Sequence, residues 1–113
     1  MEKRLRQRVR CEIEGNFKIL GSGPVSPLNF TTAQDLSEGG LRFRSNHFFP
    51  LHQRFYFHLQ IPKAARIETA AELAWIREIP QFHCFEAGAR FVELSSEHKN
   101  LLHHFIFQQL PSA

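Results

Sequence analysis

Residues 53 to 61, QRFYFHLQI, alternate without a break: Phe55, Phe57, Leu59 and Ile61 against Arg54, Tyr56, His58 and Gln60. A repeat of two is the signature of a strand with one face buried and one wet, because side chains on a strand point alternately to opposite sides. Pro62 ends the run. The same pattern recurs along the chain. From Val9, the residues Val9, Cys11, Ile13, Phe17 and Ile19 alternate with Arg8, Arg10, Glu12, Glu14, Asn16 and Lys18. Segments 28–34 and 41–45 read as two more strands, after a GSGPVSP loop at 21–27 and around a DLSEGG turn at 35–40. Residues 66–77 set Ile67, Thr69, Ala71, Leu73 and Trp75 on one face, and 82–94 set Phe85, Ala87, Ala89 and Phe91 on one face.

The period changes only near the end. Leu101, Leu102, Phe105, Ile106 and Leu110 recur at helical spacing, with Ser95 or Ser96 able to cap the start, Glu97 in the first turn and Pro111 as the stop. Six antiparallel strands and one helix predict an all-β domain: a small six-stranded barrel, whose closure leaves no exposed edge, plus a C-terminal α-helix over an open end or along the side. With 113 residues and 42% hydrophobic content, including 12 Phe, the chain supports one domain spanning 1–113 and a real core.

Charge is unevenly placed. The formal net charge is +3, yet the first ten residues alone carry Lys3, Arg4, Arg6, Arg8 and Arg10 against Glu2. The rest is close to balanced. A protein that grips long nucleic acid spreads its cations over a larger face, so a local basic arm at 1–10 suits a small anion better. Within RLRQRVR the arginines sit at every second position, where like charges crowd one side of an extended segment and repel. The nearby acids, Glu2, Glu12 and Glu14, are too few to partner them, and the arm is expected to stay open and mobile until an anion neutralises it.

The other unusual stretch is DLSEGG. Asp35 and Ser37, two apart, project to one side, and Gly39 and Gly40 allow positive φ and the close approach of a flat ligand. A carboxylate can accept from the ring N–H and amino group of guanine, and a hydroxyl can donate or accept beside it. Arginines pair bidentately with phosphate oxygens or with guanine O6 and N7. Taken alone, each stretch is also ordinary chemistry: Asp-x-Ser-x-Gly-Gly is a common turn, and a basic run is commonly a solvated arm.

In order and together they resemble the PilZ domain, a bacterial receptor module for cyclic diguanylate. RLRQR fits Arg-x-x-x-Arg with Arg4 and Arg8, and DLSEGG fits Asp/Asn-x-Ser-x-x-Gly with Asp35, Ser37 and Gly40. DLSEGGLRF, AELAWIRE and GARFVELS stand where such domains carry similar strands. The resemblance implies a six-stranded antiparallel barrel. It implies that Arg4 and Arg8 hold the phosphates and a guanine Hoogsteen edge from a segment that wraps the ligand. Asp35 and Ser37 would read a guanine while Gly40 keeps the approach clear. The ligand would be cyclic di-GMP, with no further cofactor, and the rearranged arm would present itself to a protein effector. Arg6 and Arg10 fall outside the motif; one could stack on a base. The alternative reading is a PilZ-like protein-interaction module that binds no nucleotide.

Other classes fit poorly. Seven histidines invite a metal, but His103 and His104 are adjacent, about 100° apart on a helix, and Cys84, His83 and His98 have no finger-like spacing. No nucleophile–base pair or phosphate-cradling glycine loop of known spacing marks an enzyme. Cys11 and Cys84 read as small core residues of a reducing compartment. The N-terminus lacks a signal peptide's apolar stretch and no run is long enough for a membrane span, so a cytoplasmic location is expected. Trp75 reads most simply as core, with base stacking as its other use.

Overall fold

In the computed structural model of the chain, residues 8–21, 28–63 and 66–109 are described. Six strands close a barrel: β1 (Val9–Ile19), β2 (Asn29–Leu36), β3 (Gly40–Ser45), β4 (Arg54–Gln60), β5 (Arg66–Ile79) and β6 (Cys84–Phe91). Around the barrel they run β1, β2, β3, β6, β5, β4, and every pairing is antiparallel. Helix α1 (Ser96–Gln109) follows. The expected barrel and C-terminal helix are therefore both present. The strand expected at 82–94 is shorter, because Pro80–Phe82 form a 3-10 turn and His83 takes a left-handed φ of 53° before β6 can start.

The alternation works as a packing instruction. Phe55, Phe57 and Leu59 of β4 are fully buried, and with Phe17, Phe43 and Phe49 they form an aromatic core. Their rings meet mostly edge to face, as at Phe17–Phe43 (5.4 Å between centroids) and Phe43–Phe57 (5.0 Å), the geometry that the ring quadrupole favours. Helix α1 buries Leu102, Phe105 and Ile106. It packs near the end of β4, where Leu101 and Phe105 share a groove with Ile13 and Ile61. Ser95 caps it, its Oγ accepting from the His98 backbone N–H at 3.1 Å, which satisfies one donor that a helix start leaves open. The His98 ring is in turn 3.0 Å from the Glu68 carbonyl, tying the first turn to β5. Leu110 and Pro111 lie outside the described residues. Among the described residues no helix is long and apolar enough to cross a membrane.

In three strands the register slips by one extra residue. The register slips between Arg10 and Ile13 against β2, between Ala33 and Asp35 against β3, and between Leu73 and Trp75 against β6. Such bulges re-aim the side chains that follow them. The third one corrects the reading of Trp75. Leu73 is fully buried, but with Ala74 inserted the phase flips: Ile76 packs against the core and Trp75, 40% exposed, faces out. A one-residue slip moves a side chain to the opposite face.

Candidate ligand-binding cleft

The β2 bulge at Gln34 does for Asp35 what the β5 bulge does for Trp75. Ala33 and Leu36 both point into the core. The extra residue between them leaves Asp35 on the outer side of the barrel, where its carboxylate lies under two arginines. Arg8 Nη1 donates to Oδ1 at 2.6 Å and Arg42 Nε donates to Oδ2 at 2.7 Å. Asp35 is only 7% exposed, and these charge-assisted bonds satisfy it. The expectation that the arginines lack intramolecular partners fails at Arg8, because β1 pairs with β2 and brings the start of the chain beside Asp35. Val9 and Arg10 are part of β1, while Arg4, Arg6 and the rest of residues 1–7 lie outside the described residues.

Past Arg42 the chain of charges continues. The Arg42 guanidinium also bonds Glu86, which accepts from Arg77 Nε at 2.9 Å and Nη2 at 2.6 Å. Burial pushes the Glu86 carboxyl upward, but the bonds from Arg77 and Arg42 together outweigh it and hold it below the usual glutamate range. The Asp35 bond, the largest influence on Arg42, raises its affinity for its proton. On the far side Glu72 accepts from Arg90 and lies 3.2 Å from His52; the Arg90 bond lowers its carboxyl as well.

The turn after β2 is closed by its own backbone. Ser37 N donates to the Gly40 carbonyl at 2.9 Å, Gly39 N donates to Ser37 Oγ at 3.2 Å, and Phe91 N donates to the Gly39 carbonyl at 2.8 Å. Gly40 is required for space and not for a positive φ: a Cβ there would run into the Ala89 carbonyl of the neighbouring strand. Gly88 is required for another reason. The Trp75 indole lies across it, where a Cβ would collide with the ring. Glu38, at the crest of the turn, is 2.8 Å from His103 of α1.

These parts surround one open cleft of about 660 Å³, within the size range of small-molecule sites. Arg8, Asp35, Ser37, Gly39 and Gly40 all line it, so five of the six residues singled out in the sequence meet there. Arg4, the sixth, falls in the part not described. Arg42 and Trp75 line it too; the sequence reading did not give Arg42 to the site and offered Trp75 only as the lesser of two uses. Arg42 carried a usable signal, since it stands two residues past Gly40 in the outward phase of β3. Trp75 did not, because its outward turn comes from a bulge. The cleft thus offers arginine donors for an anion, a carboxylate and hydroxyl for a polar base edge, and a flat exposed indole for stacking.

Comparison with known proteins gives the following. The sequence profile described as the PilZ domain matches residues 2–108. Among solved structures, the inhibitor of motility MotI/DgrA of Bacillus subtilis superposes with a TM-score of 0.76 at 16% identity, over 96% of this chain and 52% of that one. The chain therefore spans about half the length of that protein. The PilZ domain of YcgR from Escherichia coli, solved with c-di-GMP, superposes with a TM-score of 0.70 at 17% identity, over 96% of this chain and 92% of that one. At such identities the likeness is one of fold. No curated protein matches the sequence.

Proposed function

This chain belongs to the PilZ domain family, and on that premise we propose that it is a receptor for cyclic diguanylate. The observation that carries the reading is the meeting of two motifs 27 residues apart: Arg8 of the Arg-x-x-x-Arg run bonds Asp35 of the Asp-x-Ser-x-x-Gly run at the mouth of one cleft. Arg4 and Arg8 supply charge and bidentate donors to the phosphates and to a guanine Hoogsteen edge. Asp35 accepts from the ring N–H and amino group of a guanine, with Ser37 beside it. Gly39 and Gly40 leave bare backbone along the base. Trp75, held flat over Gly88, offers its face for stacking, as aromatic side chains do for bases in other nucleotide sites. PilZ domains are receptor and adaptor modules, and no reaction is assigned to this one.

Guanine donors arriving at Asp35 compete with Arg8 for Oδ1, so ligand entry releases Arg8 toward the phosphates. That exchange moves the arm, and the moved arm is the surface a protein effector would read. Calorimetric titration with cyclic diguanylate, cyclic diadenylate and a single-stranded oligonucleotide tests the proposal. Binding of the first, and loss of about ten- to a hundredfold in affinity for Arg4→Ala and for Arg8→Ala, is expected for a charge-assisted contact of roughly 1.5–3 kcal/mol. Equal affinity in both variants would remove the arginines from the site. No nucleotide binding by the unsubstituted protein would leave the protein-interaction module as the reading.

A further inference from the structure

We propose that Arg42 sets the guanine specificity of this cleft by fixing the plane of the Asp35 carboxylate; the inference rests on the receptor reading above. The two arginines on Asp35 are not equivalent. Arg8 stands just before β1 with its side chain 51% exposed. Arg42 is in the middle of β3, less exposed, and held at both ends: Nε on Asp35 Oδ2, and Nη1 on Glu86 with Gln34 Oε1 at 3.4 Å. Glu86, 4% exposed, is anchored in its turn by two bonds from Arg77. A line of charges thus crosses β2, β3, β6 and β5 and ends on one oxygen of the base-reading carboxylate.

The torsion that turns a carboxylate about its last bond is broad and roughly two-fold. Only one setting of it places both oxygens in the plane of a base edge, where they accept from the ring N–H and the exocyclic amino group of guanine at once. A bond from Arg42 Nε to Oδ2 selects a setting. It also leaves Oδ2 a second lone pair for a base donor, because each carboxylate oxygen carries two. Oδ1 is held by the exposed Arg8 side chain, so this oxygen opens when Arg8 turns away from it. Arg42 therefore acts through Asp35 as a positioning residue. The planar guanidinium suits this task because it bonds two carboxylates in a fixed fork, which a lysine cannot reproduce.

Positioning makes a claim about a ratio. Hypoxanthine keeps the ring N–H and O6 of guanine but lacks the amino group, so the second carboxylate bond is lost with it. Titration of the full chain with cyclic diguanylate and with cyclic di-inosine monophosphate reads that bond directly. The unsubstituted protein should prefer the guanine ligand by about tenfold or more. Arg42→Gln and Arg42→Lys should both bring the preference close to one, chiefly by weakening the guanine ligand, with the hypoxanthine ligand changing by no more than about threefold. A folded Arg42→Gln protein with the full preference intact would overturn the proposal. So would equal weakening of both ligands, which would make Arg42 a phosphate contact or a general source of positive charge. If both variants fail to fold, Glu86→Gln decides: it keeps the size of the side chain but removes the charge that anchors Arg42, and must lower the preference. An unchanged preference there would also overturn it. Failure of the unsubstituted protein to bind either ligand would instead remove the receptor reading, and this one with it.

Discussion

Asp35 concentrates the site in one side chain. It faces outward because Gln34 is inserted before it, it is nearly buried because Arg8 and Arg42 cover it, and its partners come from strands on either side. Asp35→Ala should weaken cyclic diguanylate and narrow the preference over cyclic diadenylate, since adenine lacks the N2 amino donor and presents an amino group where guanine has O6. Competition calorimetry with the two ligands checks this, and an unchanged preference would reduce Asp35 to a structural partner of the arginines. Two glycines make a second, paired prediction. Gly40→Ala drives a methyl group into the Ala89 carbonyl, a backbone atom that cannot give way alone, and should cost about 1–3 kcal/mol of stability in a urea melt. At Gly88→Ala the nearest atoms belong to the Trp75 side chain, which can swing aside. It should cost less stability and change the fluorescence of the single tryptophan. Equal losses in the two variants would contradict the distinction.

At the scale of elements, the work is divided between regular strands and their interruptions. The regular stretches, such as all of β4, bury alternate residues and build the aromatic core. The interrupted ones, β2 and β5, lend the cleft its carboxylate and its indole. A bulge is an economical way to do this, because it reverses one side chain without disturbing the strand before it. Helix α1 stands apart from the cleft except at His103 and Glu38, and it depends on its first turn. Removing the cap with Ser95→Ala should destabilise the protein by about 0.5–2 kcal/mol, read by chemical denaturation, while leaving ligand affinity unchanged. A cap-less variant with full stability would show that packing of Leu102, Phe105 and Ile106 alone holds the helix.

For the whole molecule, the acidic groups of the outer face shape the response to pH. Glu86 and Glu72 have carboxyls held below the ordinary 4.5 in the folded protein, for Glu86 by Arg77 and Arg42 against the cost of burial, and for Glu72 chiefly by Arg90. A depressed folded pKa means that the unfolded chain binds protons first as acid is added. The stability these groups contribute is thus complete above about pH 4.5 and is lost as pH falls through their lowered values. Denaturation curves across pH 7 to 3 should be flat at first and fall below about pH 4.5, and Glu86→Gln should make that fall shallower. The opposite trend, stability rising on acidification, would mean that the arginine–carboxylate chain is not a net stabiliser.

How much of this protein could be read from its residues follows from the range of the forces involved. The strands, their number and the aromatic core were legible because alternation is a local pattern that burial simply obeys: Phe55, Phe57 and Leu59 could face only one way together. The helix start was legible because a serine cap acts within one turn. Five of the six residues that the two motifs singled out come together at one cleft. The outward turn of Trp75, the partnership of Arg8 with Asp35 and the bonds of Arg42 to Asp35 and Glu86 were not legible. A bulge appears only when a strand is laid against its neighbour, since it is a mismatch in count between two segments distant in sequence. An ion pair between residues 8 and 35 likewise exists only once β1 and β2 lie side by side. Local chemistry determined which faces would be buried; the closure of the barrel decided which side chains met at the cleft, because register between strands is a property of the pair.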